Sequence, residues 1–544
     1  MTKNMKYLLI PLVALITALP MSAAAKKKYD PTFEAMKQIE IYSAILRELQ
    51  INYVDTLHFE EMLKLSVDRM LYGLDPYTVF ISEKDQEMVK RLRSGEYGGI
   101  GSLIQMSDGK PCISEPFYGM PAQVNGLQAG DEIVEIDGVK CEGKALNDVS
   151  NMLRGKPQST IHIKVRRLGH KGLIEKHFLR QIVQTPTIAY YNEVADGVGY
   201  ISINDFIDRT ASDFENALDE LVSRYGIDRL IIDLRGNGGG LVDQAVAVAS
   251  LFVPKGTEIV SMRGRHDDDK RSYRTTREPR FPNMKLLFMV DQNTASSSEI
   301  LSGAMQDLDR GIIFGDQTFG KGLVQNLRQL PYNSFLKVTT SKYYLPSGRC
   351  IQAVDYAKNQ ADMRSRYTPD SLLTEYHTRK GRPVYDGSGI MPDSLYTEEE
   401  QYNISHYMLV KSIYFKYANE YCASHKTIAS PADFTLTAEE YDHFCDWVEK
   451  SGFTYRLESE KRLQELREGV KIEGYDVKTN KLFDQLAAAL QPNVKEDLRL
   501  FERDIRLFLE NEIVKRYYFQ RGAIEYNTRF DRQLPIAIDL VKQQ

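Results

Sequence analysis

Lys285-Leu286-Leu287-Phe288-Met289-Val290 leads into Thr294-Ala295-Ser296-Ser297-Ser298-Glu299-Ile300, and twenty-five residues after Ser296 comes Lys321, within Thr318-Phe319-Gly320-Lys321-Gly322-Leu323-Val324-Gln325. The first stretch is strand-like. The second opens a segment with apolar Ile300, Leu301, Ala304, Met305 and Leu308 at helical spacing. Ser296 is therefore predicted at a strand-to-helix turn. There its Oγ can be exposed, while the first free N–H groups of the helix face negative charge developing on a bound carbonyl. That geometry suits acyl transfer by a serine, with a lysine as its base.

Upstream the same alternation repeats. Val198-Gly199-Tyr200-Ile201-Ser202-Ile203 reads as a strand, followed by a helix with a candidate capping box at Ser212 and Glu215, an apolar face of Phe214, Leu218, Leu221 and Val222, and Gly226 as terminator. Leu230-Ile231-Ile232-Asp233-Leu234 reads as a buried strand running into Arg235-Gly236-Asn237-Gly238-Gly239-Gly240, and a helix is predicted from Asp243 to Phe252. Strand, helix, strand, helix predicts an α/β core over residues 186–395. The glycine run has two readings: backbone amides that complete an oxyanion hole, or a flexible turn before a helix.

A serine hydroxyl needs a base, and lysine serves only when its amine is neutral near the working pH. Bringing a lysine from ~10.4 to near 7 takes ~4 to 5 kcal/mol against its charged form, which burial can supply. Lys321 lies between two glycines, where the chain can turn its amine into a cleft. Gln325, four residues on, falls on the same face of a helix or strand and could orient that amine. With 70 basic residues in the chain, one serine–lysine pairing alone means little. Gly315-Asp316-Gln317-Thr318-Phe319-Gly320-Lys321 mimics a phosphate-binding loop, but Gly322 stands where a Ser or Thr should hold magnesium. There is no Gly-x-Ser-x-Gly elbow and no His-Glu-x-x-His pair, and His266 beside Asp267, Asp268 and Asp269 reads as a solvated loop rather than a metal site, so neither metal nor organic cofactor is expected.

The remaining sequence frames this core. At 544 residues the chain exceeds one hydrophobic core; 42% hydrophobic and 27% charged residues with a net charge of −5 fit a globular multidomain protein and argue against nucleic acid as a partner. Residues 1–25, with Lys3 and Lys6, an apolar run from Tyr7 to Leu19 and a small-residue Ser22-Ala23-Ala24-Ala25, read as a signal peptide, implying export to the periplasm or cell envelope. Five cysteines, spread over the chain, read as reduced thiols rather than a disulfide framework. Residues 26–94 are helical in pattern to about Arg93, broken at Leu74-Asp75-Pro76. Residues 95–185 form a β-rich module punctuated by Asp108-Gly109, Gly130-Asp131 and Asp137-Gly138. Within it, Gly98, Gly99, Ile100 and Gly101 precede a strand, either as an ordinary turn or as exposed amides that capture a terminal carboxylate while the edge strand takes up a peptide. Residues 396–544 are helical, with an Asn493/Glu496 start and Leu498, Phe501, Ile505, Phe508 and Leu509 at helical spacing. They read as packing against the core or against another protomer.

Together these motifs resemble the C-terminal processing peptidases, or tail-specific proteases, over roughly residues 35–395. Thr294 to Glu299 is similar to the family's nucleophile run, Thr318 to Gly322 with Gln325 to its lysine segment, and Asp233 to Gly240 to its oxyanion segment. Tyr343-Tyr344-Leu345-Pro346-Ser347-Gly348 and Gly389-Ile390-Met391-Pro392-Asp393 match further signatures, and Ala122, Gly126-Leu127 and Gly130-Asp131 fit its PDZ domain. The resemblance implies a multidomain α/β protein with a crotonase-like ββα peptidase core and an inserted PDZ domain between helical ends. It further implies Ser296 as nucleophile, Lys321 as general base, Gln325 as its orienter and the amides of Gly239 and Ser297 as oxyanion donors. Two positions depart from the family's pattern: Gly238 stands where proline is common and Ser297 where alanine is common. The implied substrates are proteins or peptides with accessible C-termini, held in the PDZ groove so that occupancy aligns Lys321 with Ser296. A homo-oligomer through the C-terminal helices and an activating or adaptor protein are compatible partners, and the alternative function is a catalytically silent exported PDZ scaffold.

Overall fold

The computed structural model describes residues 30–83, 95–356, 366–397 and 403–544; the segment read as a signal peptide lies outside them. In the N-terminal unit, the helix Pro31–Asn52 starts at Asp30, whose carboxylate accepts the N–H groups of Thr32 and Phe33. It is followed by the helix Phe59–Tyr72. The helical pattern predicted to reach Arg93 gives way earlier. Val79–Ile81, an apolar run suited to a pleated surface, forms a strand antiparallel to Phe335–Tyr344.

The centre of the larger unit is a six-stranded sheet in the order Ile188–Ala195, Val198–Ile203, Arg229–Asp233, Lys285–Val290, Ile312–Gly315, Ser394–Leu395. The first pair is antiparallel and every later pairing parallel. Its central strands are apolar on both faces because both faces are covered. Leu286, Phe288 and Val290 point into a core shared with Phe214, Leu218, Ala245, Ile300 and Met305 of the helices Thr210–Tyr225, Val242–Ala249 and Ser297–Asp307. Leu287 and Met289 point the other way, onto Leu534, Ala537 and Val541 of the helix Gln533–Lys542. A second sheet, built from Val79–Ile81, Phe335–Tyr344, Glu258–Gly264 and Arg271–Arg274 with Leu323–Gln329, contributes Ile259, Val260, Met262 and Tyr343 to the first core. Two sheets enclose one layer of helices, an α/β core as the alternation of strand and helix patterns predicts. One local expectation fails: Ser212 and Glu215 form no capping box, because the helix starts at Thr210 and Glu215 instead pairs with Arg277 and Arg280.

The β-rich module folds around Ile113, Ala122, Leu127, Ile133, Ile161, Ile163 and Val165. Both Asp108-Gly109 and Asp137-Gly138 have positive φ at each residue, as tight hairpin turns between right-twisted strands require. Its main sheet ends at Ser102–Ser107, which among the described residues pairs only with Lys110–Pro116 and has the helix Leu146–Leu153 beside it.

The C-terminal helices have a core of their own, in which Tyr414, Tyr441, Phe444, Leu498, Ile505 and Leu509 are buried. Asn493 caps the helix Val494–Leu500 as expected. The helix Glu502–Thr528 reaches the β-rich module, placing Phe519 edge-on to Tyr118 at 5.4 Å and Lys515 at 3.6 Å from Glu115. The chain then ends under the central sheet. Leu534→Ala, at a side chain 4% exposed, should therefore lower the stability of the central sheet by about 2–4 kcal/mol, measured as a shift in the urea midpoint. A change near zero would mean that the final helix does not hold that face.

Candidate active site

Ser296 sits at the junction between strand Lys285–Val290 and helix Ser297–Asp307, with φ 57° and ψ −118°. A non-glycine residue held there costs about 1–3 kcal/mol, which surrounding contacts must offset. Those contacts involve its neighbours. Ser297 Oγ donates to the Gly240 carbonyl at 2.8 Å, Ser298 Oγ to the Asn237 carbonyl at 3.1 Å, and the Ala295 N–H to the same Asn237 carbonyl at 3.0 Å. Ser297 and Ser298 are fully buried, whereas Ser296 is half-buried. Of the three serines, only Ser296 has a side chain that makes no bond to the glycine turn among the described residues.

Glu299 joins this serine to the lysine segment. Its carboxylate is fully buried and accepts four hydrogen bonds: Ser296 N–H at 2.8 Å and Lys321 N–H at 2.9 Å on Oε2, Thr318 Oγ1 at 2.6 Å and Gly320 N–H at 2.7 Å on Oε1. Tyr343, from the second sheet, donates its hydroxyl to the Lys321 carbonyl and lies 3.3 Å from the Ser296 carbonyl oxygen. The glycines flanking Lys321 are needed for close approach. A Cβ on Gly320 would stand 2.4 Å from Ala353 Cβ, and one on Gly322 would stand 2.8 Å from the Gln352 nitrogen.

The Lys321 ammonium lies over the Tyr77 ring, 4.2 Å from its centroid. No hydrogen bond joins it to Ser296 Oγ or to Gln325 among the described residues. Gln325 donates to Thr339 Oγ1 at 3.1 Å, and a bulge between Val324 and Gln325 interrupts the strand that follows Lys321. Simple four-residue spacing therefore does not set their relative facing. In the glycine turn, the Gly239 N–H donates to Asn237 Oδ1 at 2.8 Å, and a Cβ on Gly239 would lie 2.8 Å from Ser296 Cβ. The turn is pressed against the serine, and the amide expected to act as an oxyanion donor is engaged within it. In the β-rich module, Gly98 packs where a Cβ would meet the Gly155 carbonyl at 1.9 Å, Gly101 has φ +71°, and Gly99 pairs with Gln181. The N–H groups of Ile100 and Gly101 have no acceptor among the described residues, and they adjoin the open edge of Ser102–Ser107.

Residues 197–360 match peptidase family S41, residues 118–167 a PDZ domain, and residues 404–541 the helical region described as "Probable PDZ-protease, C-terminal helical domain". The carboxy-terminal-processing protease of Bartonella bacilliformis is 32% identical over 321 residues, 58% of this chain and 73% of that one. The carboxy-terminal processing protease CtpB of Bacillus subtilis is 34% identical over 339 residues, covering 61% and 68%. The chain belongs to this protease family. Among solved structures, the photosystem II D1 C-terminal processing protease is 26% identical, with 64% of this chain and 86% of that one covered and a TM-score of 0.36. The match at 404–541 extends the likeness into the tail, which its sequence pattern alone marked only as packing.

For a serine protease of this family, the electrostatics around Lys321 matter most. Burial, reinforced by the nearby Lys337 cation, lowers its pKa from 10.5 to about 8, against the opposing pull of Glu299 and Asp75. That is about 3 kcal/mol against the charged amine. Burial pushes the Glu299 carboxyl up to about 7, with its four donors pulling it back down. Neither Glu299, Tyr343 nor Tyr77 was assigned a role from sequence, although the first two lie inside quoted motifs. Their signal is a polar residue kept within an apolar pattern. With Lys321 as the base that the resemblance implies, the amine must be neutral to accept a proton, so kcat/KM on a peptide should rise with pH through about 8. Lys337→Met removes a repelling charge, and the rise should move to higher pH; an unmoved pH–rate profile would show that Lys337 does not tune Lys321.

Proposed function

We propose that the chain is an exported endopeptidase that takes up the C-terminal tail of a protein in its PDZ groove and cleaves inward of it with a Ser296/Lys321 dyad. Neutral Lys321 removes the Ser296 proton as Oγ attacks the scissile carbonyl. The resulting oxyanion is held by the Ser297 N–H at the helix start and by the Gly239 N–H once it leaves Asn237. Lys321 then returns the proton to the amine nitrogen as the C–N bond breaks. Water, deprotonated by the same lysine, releases the acyl group and regenerates Ser296. Gln325, through its carbonyl, orients the Lys321 amine during these transfers.

The observation that carries this reading is the shared anchorage of Ser296 and Lys321 on one Glu299 oxygen, at 2.8 and 2.9 Å, with the other two serines of the run committed elsewhere. A silent scaffold would have no use for a lysine held near 8. The unpaired amides of Ile100 and Gly101 beside an edge strand support recognition of a terminal carboxylate there. Lys321 resting on Tyr77 rather than on Ser296 fits a resting state in which tail binding completes the dyad.

The test is an unfolded protein with an apolar C-terminal tail, incubated with the chain from residue 26 onward and with single serine variants, the fragments being mapped by mass spectrometry. Ser296→Ala should lose about 10⁴-fold or more in kcat/KM, whereas Ser297→Ala and Ser298→Ala should retain cleavage. Cleavage that survives Ser296→Ala would overturn the assignment.

A further inference from the structure

The turn Gly236 to Gly240 is braced internally by one side chain, Asn237, whose Oδ1 accepts the Gly239 N–H at 2.8 Å. Gly236, Gly239 and Gly240 have φ of 70°, 95° and 145°, and the run contains one side chain beyond glycine. Its position relative to Ser296 comes from contacts outside it: the Phe206 N–H donates to the Gly239 carbonyl at 3.0 Å, Asn237 Nδ2 to the Ile203 carbonyl at 2.8 Å and the Gly236 N–H to Asp291 Oδ1 at 2.9 Å. On the serine side, Ala295, Ser297 and Ser298 bond to it as described. At its start stands Arg235, whose Nε donates to both oxygens of Asp233 at 3.1 Å and whose Nη2 donates to Asp233 Oδ2 at 2.6 Å. Asp233 is in turn fixed by the Tyr200 hydroxyl at 2.6 Å.

The same Arg235 Nη2 also donates to Asp531 Oδ2 at 2.6 Å, from 296 residues further along the chain. The Arg235 and Asp531 side chains are 22% and 14% exposed, so solvent screens this contact weakly. The other oxygen of Asp531 accepts the N–H groups of Gln533 and Leu534 at 2.8 and 3.1 Å, starting the helix that underlies the central sheet. One carboxylate thus ties the docked tail to the residue just before the turn.

We propose that Asp531 is a positioning residue of the active site: by holding Arg235, the helical C-terminal region sets the glycine turn against Ser296. Because the oxyanion donors lie on and beside this turn, a small displacement there acts on turnover more than on substrate affinity. The inference rests on the serine protease reading above.

The experiment uses the chain from residue 26 onward with a short internally quenched peptide. Asp531→Asn keeps an oxygen that can cap the helix start and removes the charge that grips Arg235. It should lower kcat by about tenfold to a hundredfold, with KM within about twofold and a melting temperature near that of the parent. Arg235→Lys also gives up the fork on Asp233 and should fall at least as far, and adding Asp531→Asn to it should lower kcat no further, because the contact with Asp531 is already lost. Asp531→Glu should recover part of the loss. Leu534→Ala, which weakens the same helix without touching Arg235, should leave kcat near that of the parent. Parental kcat in Asp531→Asn, or an equal fall in Leu534→Ala, would overturn the proposal. Ser296→Ala in the same assay separates the two levels: activity surviving it sinks the protease reading itself, while its loss alongside full turnover in Asp531→Asn sinks only the role of Asp531.

Discussion

The active-site region is organised around one buried carboxylate. A group as polar as Glu299, with no solvent exposure, is tolerable only if its lone pairs are occupied, and removing a single donor from such a site costs about 1–3 kcal/mol or more. Its four donors come from two segments remote in sequence, the helix start at Ser296 and the Thr318 to Lys321 loop. Satisfying Glu299 and placing the serine beside the lysine are therefore the same structural event. The strain at Ser296, the glycines at 320 and 322 and the buried Tyr343 hydroxyl all serve that closure, which explains why small and polar residues interrupt an otherwise apolar interior.

The same carboxylate works against the lysine. An ionised Glu299 near Lys321 favours the ammonium, as does Asp75, so the fold must oppose both to lower the pKa of the amine. It does so by burying the amine and by placing Lys337 within reach of it. The balance leaves a pKa near 8, which suits the proposed role of Lys321: low enough to take a proton in mildly alkaline conditions yet high enough to return it to a leaving amine. A drier pocket would deplete the acid form, and a wetter one the base.

Much of this was legible in the residues because the informative patterns are local. The five-residue apolar run 286–290, covered on both faces, could only be a central strand, and each Asp-Gly turn in the β-rich module specified its own hairpin. The motifs containing Ser296, Lys321 and Gly236 to Gly240 lie in the same active-site region, with the Ser296 segment bonded to both others. What escaped reading depends on partners far away in sequence. Val79 to Ile81 follows a helix and carries no strand signal beyond its composition; it becomes a strand because Phe335–Tyr344 offers a free edge. Glu215 resembled half of a capping box, but two arginines at 277 and 280 claimed it. The Lys321-to-Gln325 facing failed to follow from spacing because a bulge intervenes.

The tail shows the limit most plainly. Its helical periodicity was readable at Leu498, Phe501 and Ile505, but periodicity says that a face is buried and not against what. In the structure the last helix supplies Leu534, Ala537 and Val541 to the underside of the sheet whose upper ends carry the serine and the glycine turn. Without that helix, Leu287, Met289 and Phe314 would face water, and the strand Lys285–Val290 would lose the second apolar layer that its unbroken hydrophobic run requires. The double-sided strand in the first quoted stretch thus already demanded a cover, and the chain supplies it from its own far end.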